Sequence, residues 1–273
     1  MSLVVNTNMN SLTIENILSN TNDSISSSLQ KLSSGLRINS AKDDPAGFAI
    51  ANDFKAKVSS MQVASQNANQ AQSMLQTADG AYSQINNILV QMKSLATEAS
   101  SGQESTNDLT SLNNEFSDLQ QEIDKIANST TYGTLSILNA STTVTFQVGA
   151  TNDGNNQVAL TFSNSTQAGL GVNNLNISSL SQAQSAMTTL DNALISINAY
   201  MGDIGGYQNQ LQYSINNLTT GIQNFTSSAS TIEDVDMASE VSNLTKSQIL
   251  EQSAMAMLAQ ANTQPQSILK LLG

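Results

Sequence analysis

From Leu190 to Phe225 the chain carries one long apolar seam. Leu190, Leu194, Ile197, Met201, Ile204, Leu211, Ile215, Leu218, Ile222 and Phe225 follow at steps of four and three, with a single step of seven across Gln208. Such spacing belongs to a helix packed lengthwise against others. At 1.5 Å per residue the seam runs roughly 54 Å. One helix cannot bury so long a stripe alone, so other segments must supply partners.

Three segments show matching patterns. Residues 1–40 are apolar at Leu18, Ile25, Leu29, Leu32 and Leu36, with Ser, Asn and Thr at most polar positions. These are mediocre helix formers, so this helix depends on partners to persist. Asn39, Ser40, Asp43, Asp44 and Pro45 form a turn or helix start, with Pro45 suited to the first helical position. Residues 46–100 predict a second long helix with a seam of Ala81, Ile85, Ile88, Met92, Leu95 and Ala99, ended by Ser100, Ser101 and Gly102. Residues 108–127 predict a third, seamed by Leu109, Leu112, Phe116, Leu119, Ile123 and Ile126. Thr106, Asn107 or Asp108 can cap it.

At about residue 130 the period changes to two. Val144, Phe146 and Val148, then Val158, Leu160 and Phe162, alternate with polar residues around Asn152-Asp153-Gly154-Asn155-Asn156. This predicts a β-hairpin with an Asp-Gly turn. Residues 163–180 are a loop rich in Gly, Asn and Ser. Helix returns from about Ser181, and residues 231–273 form a last helical segment with Val241, Leu244, Ile249, Leu250, Met255 and Leu258, then Ile268, Leu269, Leu271 and Leu272. Gly202, Gly205 and Gly206 lie inside the organising seam. They either break the helix or, since the seam keeps its register through them, let a neighbouring backbone approach at a propensity cost of up to ~1 kcal/mol each.

The pattern predicts a mainly α fold, an elongated helical bundle or coiled coil with one small β-hairpin. Its expected parts are an N-terminal helix (1–44), two long helices with the hairpin and loop (45–180), a second long stretch of the middle region (181–230), and a C-terminal helix (231–273). The two polar-rich ends invite pairing with each other or with neighbouring copies.

Composition narrows the chemistry. The chain has no cysteine and no histidine, which removes disulfides, thiolate chemistry, His-based acid–base catalysis and the usual zinc ligands. Only 4% of residues are aromatic, so the core is built from Leu, Ile, Ala and Met. The net charge of −12, with nine Lys and Arg, leaves no dense basic face for nucleic acid. Five cations, Lys31, Arg37, Lys42, Lys55 and Lys57, crowd one short stretch. Glu233, Asp234, Asp236 and Glu240 are their acidic counterpart. If the ends pair antiparallel, the two stretches meet, with Arg37 opposite Glu233 or Asp236; the alternative is that Glu233 to Glu240 merely favours a helix N-terminus. The first ten residues show no cleavable secretory signal, and no run is long enough to span a membrane. Asp43-Asp44 lacks any catalytic companion and is explained by a helix start. Asn-x-Ser/Thr triplets at Asn128, Asn139, Asn164, Asn176 and Asn224 arise by chance in such a composition.

Two runs carry a resemblance. Leu32-Ser33-Ser34-Gly35-Leu36-Arg37-Ile38-Asn39-Ser40-Ala41-Lys42-Asp43-Asp44-Pro45-Ala46-Gly47 resembles the N-terminal signature of bacterial flagellins. Ile232-Glu233-Asp234-Val235-Asp236-Met237-Ala238, then Glu240 to Leu244, Gln248 to Leu250 and Leu258 to Asn262, resembles the C-terminal one, about 185 residues later. The resemblance covers nearly the whole chain and implies a minimal flagellin without large inserted surface domains.

It implies a structural subunit that self-assembles into the flagellar filament for swimming. It implies no enzymatic activity and no cofactor or metal. Terminal helices would pair in the filament's inner core. The family is exported unfolded through its own secretion channel, so the implied location is extracellular. The implied partners are other copies, the export apparatus and its chaperone, and the filament cap and hook-junction proteins. The expected assembly positions are Leu29, Leu32, Leu36, Arg37, Asp43, Asp44, Glu233, Asp236, Val241, Leu244, Leu258, Ile268 and Leu271. A Toll-like receptor that senses some flagellins reads a patch that aligns with Leu95 and Glu115. The arginine of recognised relatives falls at Gln91, which implies weak signalling. The rival reading is a hook–filament junction protein with flagellin-like ends.

Overall fold

The computed structural model describes residues 8–272, with side chains for 8–263. The elements are α1 (Met9–Ser34), α2 (Pro45–Ala99), α3 (Thr106–Ser129), β1 (Thr131–Tyr132), β2 (Leu135–Ser136), β3 (Thr142–Gln147), β4 (Gln157–Phe162), α4 (Leu180–Glu233) and α5 (Met237–Leu272). Compactness divides the chain inside helices rather than at their ends. One unit comprises residues 1–56 and 224–273, and the other residues 57–223.

In the unit of residues 57–223, α2 supplies the centre of the core. Met74, Leu75, Tyr82, Ile85, Leu89 and Met92 are fully buried, and so are the small Ala68, Ala71, Ala78 and Ala96. Ile85, Met92, Leu95 and Ala99 belong to the seam read from sequence. Tyr82, Leu89 and Ala96 do not, because α2 packs on more than one side and its buried stripe is wider than a two-in-seven seam. From α4, Leu190, Ile197, Ile204, Leu211 and Leu218 are buried. Leu194, Met201, Ile215 and Ile222 are half-buried. Lys93 of α2 pairs with Asp191 of α4 at the surface.

Helix α4 is continuous through its glycines. A Cβ at Gly202, Gly205 or Gly206 would meet nothing within 4 Å among the described residues, so no described backbone uses the space. Helix α3 is capped by Ser105, one residue before the expected caps. The Asp108 amide donates to the Ser105 hydroxyl (3.3 Å) and the Ser105 amide to the Asp108 carboxylate (3.2 Å), a capping box. Phe116 and Ile123 of α3 are buried, and Leu109, Leu112, Leu119 and Ile126 pack against the core.

Strands β3 and β4 pair antiparallel, with Val144 opposite Leu160 and Phe146 opposite Val158. Their apolar side chains therefore share one face. The link is not a two-residue Asp-Gly turn. Residues 148–156 connect the strands, Gly154–Asn156 form a short 3-10 turn, and the Asp153 carboxylate accepts from the Asn155 amide at 2.9 Å. Gly154 does not have the positive φ that such a hairpin turn requires. A second, two-residue ladder pairs Tyr132 with Leu135, turned by Gly133 at φ 62.

The loop of residues 163–179 is packed rather than loose. Ser165, Val172 and Ile177 are fully buried. Asp124 accepts from the Gln167 amide (2.8 Å) and side chain (2.6 Å), and Asn113 accepts from the Ile177 amide at 2.9 Å. The Gln120 side chain donates to the Val172 carbonyl at 2.6 Å. Side chains of α3 thus satisfy loop backbone that has no ladder of its own.

Candidate assembly surface

In the other unit, α1 and α5 run antiparallel. The Asn8 side chain donates to the Ala261 carbonyl at 2.9 Å, and the Ser11 hydroxyl donates to Asn262 at 3.0 Å. At the opposite end, Val235 N–H donates to the Gly35 carbonyl at 3.1 Å. The side of α1 least exposed to water is Ser11, Ile14, Leu18, Thr21, Ile25, Ser28 and Leu32. On α5 it is Glu240, Leu244, Ser247, Glu251, Ala254, Leu258 and Ala261. Both sets step in threes and fours, the spacing of a coiled-coil seam. Ser11, Thr21 and Ser28 are the buried members on α1. The sequence reading missed them because it followed apolar residues alone. Continuing the steps inward and outward from Leu18 and Ile25 finds them.

The fully buried members of this seam are only serine, threonine and alanine, and its isoleucines and leucines are half-buried, so it removes less apolar surface from water than a seam of buried leucines would. Among the described residues, this unit leaves eleven large apolar side chains 48–62% exposed, including Leu12, Ile17, Leu29, Val241, Ile249 and Leu250. The longer unit of residues 57–223 leaves six. Large contiguous exposed apolar patches are a general mark of interaction sites. A shallow groove on α5 is lined by Val241, Ser242, Thr245, Lys246, Ile249 and Leu250.

The two connections of this unit are clasped together. Helix α1 ends at Gly35, whose φ of 74 only glycine adopts freely, and Gly35 N–H donates to the Lys31 carbonyl at 2.9 Å. Leu36 then bridges to Asp234. The Arg37 guanidinium donates to the Ile232 carbonyl at 2.6 Å, supplying a cation to the negative end of α4. Glu233, the last residue of α4, is 3% exposed, and its carboxylate pairs with Lys55. Charge alone suggested Arg37 as a partner for Glu233 or Asp236. Arg37 instead holds a carbonyl, and Asp236 caps α5 by accepting from the Ala238 amide at 3.0 Å.

The remaining expected positions fall as follows. Asp43 accepts from the amides of Asn39 (3.0 Å) and Ser40 (2.9 Å), and these hold its carboxyl below the ordinary value. Asp44 accepts from the amides of Ala46 and Gly47 and so caps α2. Both carboxylates organise backbone. Leu29 and Val241 are about half exposed. Leu32, Leu36, Leu244 and Leu258 are half-buried. Ile268 and Leu271 lie outside the residues whose side chains are described. In the other unit, the Gln91 amide donates to Glu115 at 3.4 Å, while Leu95 is buried at 8% exposed. Among the described residues no group of three or more Asp or Glu could hold a metal ion, and no helix is long and apolar enough to cross a membrane.

Two paired termini with unused apolar surface are what a helical polymer requires, and the family comparison decides which one. The profile of the bacterial flagellin N-terminal helical region matches residues 5–143, and that of the C-terminal helical region matches residues 187–272. The chain belongs to the bacterial flagellin family. It is 38% identical over 245 residues to a flagellin of Halalkalibacterium halodurans, covering 89% of this chain and 90% of that one. It is 35% identical to the flagellar filament 33 kDa core protein of Treponema phagedenis, covering 99% of this flagellin and 100% of that protein. The crystal structure of Bacillus cereus flagellin superposes with a TM-score of 0.50 at 30% identity, over 56% of this chain and 88% of that one. A chain described as a flagellar hook-associated protein, from Vibrio parahaemolyticus, gives a TM-score of 0.59 at 12% identity, over 70% and 100%. At that identity the likeness is one of fold alone. The flagellin family and its fold are those of structural proteins.

Proposed function

We propose that this flagellin is the self-assembling subunit of a bacterial flagellar filament, that it works outside the cell in swimming, and that it has no catalytic role. The observation that carries the assembly surface is the crowding of exposed apolar side chains on α1 and α5, beside a seam whose own isoleucines and leucines are only half-buried. Leu12, Ile17, Ile249 and Leu250 complete their burial against other copies. Leu32, Leu36, Leu244 and Leu258 hold the pair together within one chain. Arg37, Asp43, Asp44, Glu233 and Asp236 set its end.

The family reading brings further partners: the export apparatus and chaperone, the filament cap, the hook-junction proteins and, at low strength, the Toll-like receptor. A glutamine at position 91 offers no forked cation to a carboxylate, and its amide is already turned to Glu115.

The test is assembly. The purified full chain should form micrometre-long filaments, which a hook-junction protein would not. Deleting residues 264–273 should abolish filaments and leave the unit of residues 57–223 folded by circular dichroism. Normal filaments from the truncated chain would refute the assignment of the termini.

A further inference from the structure

Nine of the ten methionines lie among the described residues, and these are sorted by unit. Among the described residues, Met9, Met237, Met255 and Met257 stand 48–62% exposed, and all four lie on α1 or α5. In the unit of residues 57–223, Met74 and Met92 are fully buried, and Met61, Met187 and Met201 are half-buried. Core methionines fill gaps as soft apolar plugs, which explains the second group. It does not explain the first, whose thioethers face water in the single chain.

The four have a common placement. Met255 and Met257 flank the α5 seam, beside Ala254 and Leu258. Met9 opens α1, and the adjoining Asn8 bonds Ala261, so Met9, Met255 and Met257 occupy the same end of the antiparallel pair. Met237 opens α5 at the other end. These thioethers are among the large apolar groups that α1 and α5 leave exposed and can offer another copy.

We infer that these four methionines are a site of reversible oxidation by peroxides, which switches off copy-to-copy packing while leaving the unit of residues 57–223 intact. This rests on the filament reading above. A thioether sulfur lone pair attacks one peroxide oxygen, the O–O bond breaks, and the proton passes to the departing oxygen. One sulfoxide and one water form, so the sulfur is oxidised and the peroxide reduced. The product is a polar, chiral group where an apolar one stood. Burying its oxygen in a helix interface without a donor is unfavourable, so packing is lost. In the polymer the same sulfurs are covered and protected. Methionine sulfoxide reductases of both stereospecificities, with a thiol reductant, reverse the change.

The experiment treats the full-length subunit with hydrogen peroxide and maps sulfoxide by peptide mass spectrometry. It then measures the critical concentration for polymerisation before and after repair by the two reductases. Sulfoxide should appear on Met9, Met237, Met255 and Met257 well before Met74 and Met92. The critical concentration should rise about tenfold or more, one buried polar group per interface sufficing for that, and should return on repair. A chain with Met9→Leu, Met237→Leu, Met255→Leu and Met257→Leu should assemble in peroxide as it does without. Oxidation of Met74 and Met92 at equal rates would overturn the inference. So would an unchanged critical concentration after oxidation, or a leucine variant as peroxide-sensitive as the parent. If the leucine variant does not assemble at all, repair of the oxidised parent decides the matter: recovery of the critical concentration supports the inference, and no recovery overturns it. Failure of the untreated chain to polymerise strikes the filament reading instead, and the sulfoxide map separates the two failures.

Discussion

Lys55 is a half-exposed residue whose loss should still be felt. It neutralises Glu233, whose side chain is 4% exposed and whose backbone carbonyl also accepts from the Arg37 amide. Removing one partner of a fully buried pair costs about 3–5 kcal/mol, because the other charge is left without water or counter-charge. The Lys55 side chain is 53% exposed, so solvent already carries part of the interaction, and we take about 2 kcal/mol for Lys55→Met. If assembly requires this unit to be ordered, that cost raises the critical concentration about 30-fold. Glu233→Gln in addition removes the stranded charge, and the double variant should sit within about threefold of the parent. The assay is sedimentation of polymer over a concentration series for the parent, both single variants and the double. An increase below about threefold for Lys55→Met would refute the reasoning. A double variant worse than Lys55→Met alone would do the same.

Other expectations follow from the same geometry. Arg37→Glu should weaken assembly, and Glu233→Lys should not restore it, since Arg37 holds the Ile232 carbonyl while Glu233 holds Lys55; polymer sedimentation of the double variant decides. Asp43 has its folded pKa depressed, so its contribution is complete above the ordinary value of 3.8 and lost as pH falls through the lower folded value. Asp43→Asn should lower stability at neutral pH and flatten the acid limb of filament disassembly, followed by light scattering. Gly202→Ala and Gly206→Ala should each raise the stability of the unit of residues 57–223 by about 0.5–1 kcal/mol in urea unfolding. If either abolishes filaments while doing so, another copy's backbone occupies that space.

What the sequence made legible of the fold was periodic. The α4 seam from Leu190 to Ile222 is buried or half-buried at every position, because a strict repeat of apolar residues has few other uses. The paired signatures at the two ends were legible by their resemblance to a known family, not by period. Three features were not. Ser11, Thr21 and Ser28 occupy seam positions, but serine and threonine do not announce burial. The loop of residues 163–179 is held by Asn113, Gln120 and Asp124, side chains over 40 residues earlier in the chain, and such long-range bonds to loop backbone leave no local pattern. The pairing of Glu233 with Lys55 rather than Arg37 depends on a carbonyl, Ile232, that every residue has and that composition cannot single out. Charge complementarity brought the right stretches together and left the partners open.

The measurement that bears most directly on the role of the two ends is a reconstruction of filaments of this chain by electron cryo-microscopy. Helices α1 and α5 should pair antiparallel within each copy, and Leu12, Ile17, Ile249 and Leu250 should be buried against neighbouring copies. Filaments in which those four side chains stay in water, the copies being joined through residues 57–223 alone, would contradict this assignment.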